Sequence, residues 1–354
     1  MKFEPKWIAW ETTRECNLEC MHCRSNACLG SYKHLDFSTE EGFDVINKIA
    51  EFSQPCLVLS GGEPLLREDI FELANYGTRK GLRMALATNG TLVTNKICER
   101  IKESGIRIVS LSLDGSCEET HDTFRKQKGA FAATLRATEL FRNHNIPFIV
   151  NSSFTKHNHD EIKETYQLAK EIGATSWYMF MVVPTGRGQQ LMDELLHDEK
   201  YDEALDWHYN MESDEEEMLV RPTCAPHYYR IRFEKNKDQG KTTKSRSLSF
   251  STGGSKGCIA GQSIMTIDVE GNVNPCSYLP LKAGNIFKQD LAEIWNESGV
   301  FNNLRNFKEY KGKCGACEYI KICGGCRARA HYINNDYMAE EPLCNYIPKR
   351  LKAV

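Results

Sequence analysis

No long hydrophobic run occurs in this chain, and that absence removes one class at once: nothing in it reads as a membrane-spanning helix. A dominant charge of one sign is missing too. Lys and Arg number 45 against 48 Asp and Glu, a net charge of −3. That balance carries neither a nucleic-acid footprint nor an acidic tail. The first residues, Met1-Lys2-Phe3-Glu4-Pro5, lack the basic and apolar regions of a secretory signal. A cytoplasmic protein without nucleic-acid or membrane partners is therefore expected.

Cysteine, by contrast, is abundant: 15 residues among 354. Without an export signal, and in tight clusters, cysteines read as metal ligands rather than disulfides. The densest cluster is Cys16-Asn17-Leu18-Glu19-Cys20-Met21-His22-Cys23, with three and then two residues between its cysteines. Thiolates at this spacing suit one soft-metal centre, an iron–sulfur cluster, zinc or copper(I). Three sulfurs leave one corner of a cube open, which a cluster needs if a cosubstrate is to touch an iron.

The first two-thirds of the chain alternates apolar strand patterns and amphipathic helix patterns. Strands are predicted at Lys6–Glu11, Cys56–Ser60, Arg83–Ala87, Arg107–Leu113, Pro147–Ser153 and Ser176–Val183. Helices are predicted at Ser38–Phe52, Glu68–Lys80, Thr94–Ser104, Ala130–Asn143 and Asp160–Ile172. Such alternation means parallel strands with crossover helices, and about six units make a partial barrel. Leu191–Glu217 reads as a charged surface helix and turn with an acidic run at its end. Lys235–Gly257 reads as a linker, with Lys235, Lys237, Lys241, Lys244 and Arg246 as candidates for holding an anion.

Each polar motif follows a predicted strand, where barrel chemistry gathers. Gly61-Gly62-Glu63-Pro64 can bring backbone close to a ligand, offer a carboxylate to an ammonium and stiffen the turn. Thr88-Asn89-Gly90 and Ser112-Leu113-Asp114-Gly115 end the next two strands, and His121-Asp122-Thr123-Phe124-Arg125 comes soon after. Together with the cysteine loop, these motifs resemble the radical S-adenosylmethionine enzymes. The resemblance implies an α/β fold, a partial (β/α)6 TIM-like barrel. It also implies a 4Fe–4S cluster on Cys16, Cys20 and Cys23, and S-adenosylmethionine bound at Gly61, Gly62, Glu63, Pro64, Asn89, Ser112, Arg125 and Asn151. Ser112 would bond a ribose hydroxyl and Arg125 the methionine carboxylate, which an arginine fork suits. His22 takes the place of an aromatic residue beside the cluster.

The C-terminal third carries Cys258-x12-Gly271-x4-Cys276, then Cys314-x2-Cys317-x5-Cys323-x2-Cys326, then Cys344. This order resembles the SPASM extension of the same family, a small cysteine-rich domain holding one or two auxiliary 4Fe–4S clusters. Read alone, the C-x2-C pairs also allow a zinc ribbon. The resemblance puts Cys314, Cys317, Cys323 and Cys344 on one cluster and Cys258, Cys276 and Cys326 on another, one ligand short. That centre keeps an open iron, or is completed by Cys224, or is not built. The implied division is a barrel over residues 1–220, a bridging segment over 221–257 and the cluster domain over 258–354. Cys28, Cys56, Cys98 and Cys117 are dispersed and read as small apolar residues.

Cys20-Met21-His22-Cys23-Arg24-Ser25-Asn26-Ala27, Val183–Gly188, Thr223–Arg230, Cys323–Ala330 and Glu340-Glu341-Pro342 resemble the haem-pathway branch of the family. That branch includes a haem synthase, a didecarboxysiroheme deacetylase and a haem d1 enzyme. It implies an oxidoreductase that decarboxylates two propionates of Fe-coproporphyrin III to vinyl groups. An electron donor such as ferredoxin or flavodoxin would supply the reducing electron. Arg221, Arg230, Arg232 and the basic linker would meet the carboxylates, while His227 and its neighbouring tyrosines would face the macrocycle. Cys224 and His227 are accordingly candidate catalytic residues. Two other readings stand beside this one. A peptide-modifying enzyme usually carries an N-terminal peptide-recognition domain, and only about fifteen residues precede Cys16. A non-catalytic iron–sulfur carrier would have no use for Glu63, Ser112 and Arg125 where they stand.

Overall fold

A computed structural model describes residues 3–240 and 256–352. Lys241, Lys244 and Arg246 of the expected basic linker lie outside the described residues. From Trp7 the chain runs β1 (Trp7–Thr13), α1 (Thr39–Phe52), β2 (Cys56–Gly61), α2 (Ile70–Arg79), β3 (Arg83–Thr88) and α3 (Asn95–Glu103). It continues through β4 (Ile108–Ser112), α4 (Glu118–Arg125), α5 (Ala130–Asn143), β5 (Phe148–Phe154), α6 (Ile162–Glu171) and β6 (Ser176–Met181). Apart from α4, which the sequence pattern does not give, the bounds match that pattern within a few residues because the periodicity is strong, and α1 and α3 carry side-chain caps. Ser38, for example, closes a capping box with Glu41 at the start of α1.

These six strands pair in parallel, in sequence order. A seventh follows α7 (Asp198–Asp214): β7 (Leu219–Thr223) pairs in parallel with β6. It escapes the sequence pattern because it is five residues long and carries an arginine and a proline, which an edge strand tolerates. Residue 220, where the sequence division ends the barrel, lies inside it. The helix α8 (His227–Asp238) then occupies part of the expected linker, with Lys235 and Lys237 in its last turn. The acidic run after α7 is not all solvated. Glu215 is buried and accepts hydrogen bonds from Met218 N and Lys170 Nζ.

The cysteine-rich third joins the same sheet. β8 (Ile264–Ile267) pairs in parallel with β1, from Trp7↔Ile264 to Trp10↔Ile267, and β9 (Asn272–Asn274) and β10 (Gly284–Asn285) extend it antiparallel. The ten-stranded order is β10-β9-β8-β1-β2-β3-β4-β5-β6-β7, so among the described strands the curl stays open between β7 and β10. The short helices α9 (Leu291–Glu297), α10 (Gly299–Arg305), α11 (Gly312–Ala316), α12 (Arg327–Asn334) and α13 (Lys349–Lys352) complete this part.

Strand alternation decides what the curl encloses. Leu57, Leu59, Met84, Leu86 and Val109 face outward into the helix layer and are buried there. Each such side chain contributes about 1.5–3 kcal/mol by leaving water. The alternate positions, among them Val58, Ser60, Ala85, Ala87, Ser110 and Ser112, face inward and are small. Small residues on the concave face leave room, and a cavity of about 450 Å³ opens there.

Candidate active site

The loop after β1 brings Cys16, Cys20 and Cys23 to this cavity. Backbone contacts hold the loop from two sides. Gly62 N donates to Thr13 O and Glu63 N to Glu15 O, both at 2.8 Å. From the segment after β6, Arg187 N donates to Cys23 O and Arg187 Nε to Cys20 O, both at 2.9 Å. The glycines are required by these approaches. A Cβ on Gly61, at φ +140°, would stand 2.1 Å from Thr13 O, and one on Gly62 2.2 Å from Glu15 O. Gly186, at φ +56°, would meet Cys23 O and Arg24 O at 2.4 Å. Leu18 N points at Cys16 Sγ (3.4 Å) and Arg125 Nη1 at Cys20 Sγ (3.6 Å). Burial pushes the Cys16 thiol up to about 12 and raises that of Cys20, so each keeps its proton until a cation replaces it. Three thiols on one loop, Cys16 and Cys20 buried and Cys23 half-buried, with donors already aimed at two sulfurs, fit an iron–sulfur cluster.

Gly61, Gly62, Asn89, Ser112, Arg125 and Asn151 line the same cavity. Glu63 and Pro64 are not among its lining residues. Glu63, expected at a ligand's ammonium, accepts from Thr88 Oγ1 (2.8 Å), Asn89 N (2.7 Å) and Leu65 N (3.1 Å). Both oxygens are engaged, so Glu63 ties the end of β2 to the end of β3. Burial lifts its pKa to about 7 against the hydrogen bonds that lower it. Arg125 pairs with buried Asp114 at 2.5 Å, and its Nε is buried without a partner. Asn151 Nδ2 donates to Ser110 Oγ (2.6 Å), leaving its Oδ1 buried without one. An unpaired donor and an unpaired acceptor on cavity-lining residues match a ligand carrying both a carboxylate and an amine or hydroxyls. His22 stacks on Phe124 with ring centroids 4.5 Å apart, and burial lowers it to about 4, so it is neutral.

A second group of thiols lines the cavity elsewhere: Cys224, Cys258, Cys276 and Cys326. The structure thus brings Cys224 to the three cysteines that were one ligand short. Cys314, Cys317, Cys323 and Cys344 form a separate group, outside the cavity lining. Cys323 feels Cys344 and Cys314, and Cys317 feels Cys314. Among the described residues no three His, Cys, Asp or Glu side chains converge on the point a single ion would occupy. Of the dispersed cysteines, Cys56 and Cys98 are buried, Cys28 is half-buried and Cys117 is exposed.

The expected substrate-facing residues divide. Arg221 and Tyr229 line the cavity. His227 does not: it opens α8 fully buried, its ring 5.1 Å from that of Tyr201, and burial lowers it to about 4. Tyr228 also turns away, donating to Glu212. Arg230 pairs with Glu234 at 2.6 Å and covers Tyr346, and Arg232 pairs with Glu212 at 3.6 Å. Sequence reasoning missed the buried pair Arg329–Glu341 (3.0 Å, both side chains fully buried) behind the second thiol group. Two charges amid glycines, alanines and cysteines were the available signal.

A parallel α/β curl with thiols at its strand ends, continued by a thiol-rich domain on the same sheet, defines an enzyme built on iron–sulfur centres. Residues 10–169 match the radical SAM superfamily and residues 258–327 the SPASM iron–sulfur cluster-binding domain. The chain belongs to the radical SAM superfamily. It uses S-adenosylmethionine and a 4Fe–4S cluster, with auxiliary iron–sulfur binding in its SPASM domain. It is 45% identical over 97% of both chains to the AdoMet-dependent heme synthase of Methanosarcina barkeri. It is 30% identical to the Fe-coproporphyrin III synthase of the same organism, covering 97% of this chain and 88% of that one. Among solved structures, Streptococcus suis SuiB bound to S-adenosylmethionine shares the fold at TM-score 0.74 and 16% identity, over 97% of this chain and 77% of the other.

Proposed function

We propose that this enzyme converts two propionate side chains of Fe-coproporphyrin III to vinyl groups. The observation that carries the reading is the single cavity reached both by Cys16, Cys20 and Cys23 and by the second thiol group. Its volume falls in the range of roughly 300–1,000 Å³ usual for small-molecule sites. The reaction makes two demands on the protein. A propionate that has lost a hydrogen atom from the carbon next to the ring releases carbon dioxide, forms the vinyl and gives up one electron. A radical source and an electron acceptor must therefore flank one substrate. When bound, the first cluster with S-adenosylmethionine supplies the 5′-deoxyadenosyl radical and an auxiliary cluster takes the electron.

The chain's own residues supply recognition. Tyr178, Phe180 and Tyr278 give the cavity aromatic walls, suited to a macrocycle. Arg221, Arg24 and Lys256 also line it, giving cations to a ligand with four carboxylates. Similarity along almost the whole chain to proteins described as AdoMet-dependent heme synthases supports the same reading. The test is anaerobic turnover of the reconstituted protein with S-adenosylmethionine, a reductant and Fe-coproporphyrin III, followed by mass spectrometry. Loss of two carbon dioxide units with 5′-deoxyadenosine formed is expected. Deoxyadenosine beside an unchanged porphyrin would discard this substrate.

A further inference from the structure

We propose that Cys224 is the fourth ligand of the auxiliary centre held by Cys258, Cys276 and Cys326. That centre is then a closed 4Fe–4S cluster that carries electrons and offers no iron to a substrate. The inference rests on the SPASM domain and not on the tetrapyrrole reading.

Three observations place Cys224 there. First, its side chain packs with Cys276 and Cys326 in one small apolar group under Leu279 and Ala328, and its thiol lies within electrostatic reach of Cys326, Cys276 and Cys258. Second, its backbone is held in the left-handed region at φ +55°, a conformation costly for a residue with a Cβ. Such strain persists where the surroundings fix it. Here Arg329 Nη2 donates to Cys224 O at 2.7 Å, and Arg329 Nε pairs with Glu341 at 3.0 Å. The Glu341 carboxylate in turn accepts from Cys326 N. One buried network therefore fixes the backbones of two of the four cysteines relative to each other. Third, the segment carrying Cys258 runs close against the turn that follows Cys224. Cys258 N donates to Cys323 O (2.8 Å), and a Cβ on neighbouring Gly257 would meet Pro226 Cβ at 2.7 Å. A merely buried thiol needs neither the strained backbone nor the shared network.

The cluster held by Cys16, Cys20 and Cys23 would mask the result, so the parent for the test is the full chain with C16A, C20A and C23A. Reconstituted anaerobically, it should bind about eight irons, two cubanes. Its reduced EPR spectrum should not change on adding cyanide, because neither centre has an open iron. Adding C224A should convert one centre to a 3Fe–4S signal, or make it respond to cyanide, while the other stays as it was. A parent holding about four irons, a parent whose spectrum shifts with cyanide, or a C224A protein with unchanged iron and spectrum would each overturn the assignment. If the C224A chain fails to fold, the parent's iron content and cyanide response decide alone. Loss of decarboxylation without these changes would bear on the proposed function and not on this ligand.

Discussion

Glu63 stands in the motif expected to bind a ligand, and its carboxylate also joins two strand ends. Its carboxylate takes three protein donors, so its charge state is linked to folding. The native pKa of about 7 lies above the ordinary 4.5. Between those values the native chain binds the extra proton, so this group's contribution to stability falls as pH rises through the window and is level above it. In E63Q the Nε2 amide would face the N–H of Asn89 or the donors of Leu65 and Thr88, leaving about 1–3 kcal/mol of unmet hydrogen bonding. The expected outcome is a lower melting point, with the gap between parent and E63Q narrowing from about pH 5 to about pH 8. Anaerobic thermal shift across that range checks it; a gap that widens with pH would contradict the assigned sign. G62A should be worse placed still, because its Cβ meets a backbone oxygen that cannot swing aside. We expect a loss of about 1–3 kcal/mol together with poor iron retention, both readable on one preparation.

At the scale of elements, the cluster loop is clamped by the Gly61–Gly62 turn and by the Gly186-Arg187-Gly188 segment. R187A removes the donor to Cys20 O while leaving every strand of the sheet intact. The expectation is lower retention of iron on Cys16, Cys20 and Cys23 during gel filtration, with the far-ultraviolet circular dichroism unchanged. The first six strands and the thiol motifs were legible in the sequence because alternation and cysteine spacing are local signals. The strand β7 was not, since five residues with an arginine and a proline carry too little pattern. The direction of Glu63 was hidden for a different reason. Its contact with the neighbouring strand depends on where Asn89 N ends up, which no local pattern records. His227 was misread because the sequence shows an aromatic, basic stretch and not the helix that turns its first residue inward.

Across the whole molecule, the two parts of the enzyme are joined by more than the β1–β8 pairing. Arg329 of the cluster domain reaches Cys224 O and Tyr201 Oη on the barrel side while pairing with Glu341 on its own. Burial alone would raise the Glu341 pKa, but Arg329, then His227, lower it further, and the net direction is downward. The stability from this pair is therefore full above the ordinary value of 4.5 and is lost as pH falls through the lower native value. Removing one partner from a buried ion pair costs about 3–5 kcal/mol, because the other charge is left uncompensated. R329M keeps the volume and deletes the charge, so it isolates that term. If Arg329 couples the parts, hydrogen exchange should speed up in R329M around Cys224 and around Glu341–Cys344 together. Faster exchange confined to the C-terminal segment would mean that Arg329 serves only its own domain, and that the sheet alone carries the join.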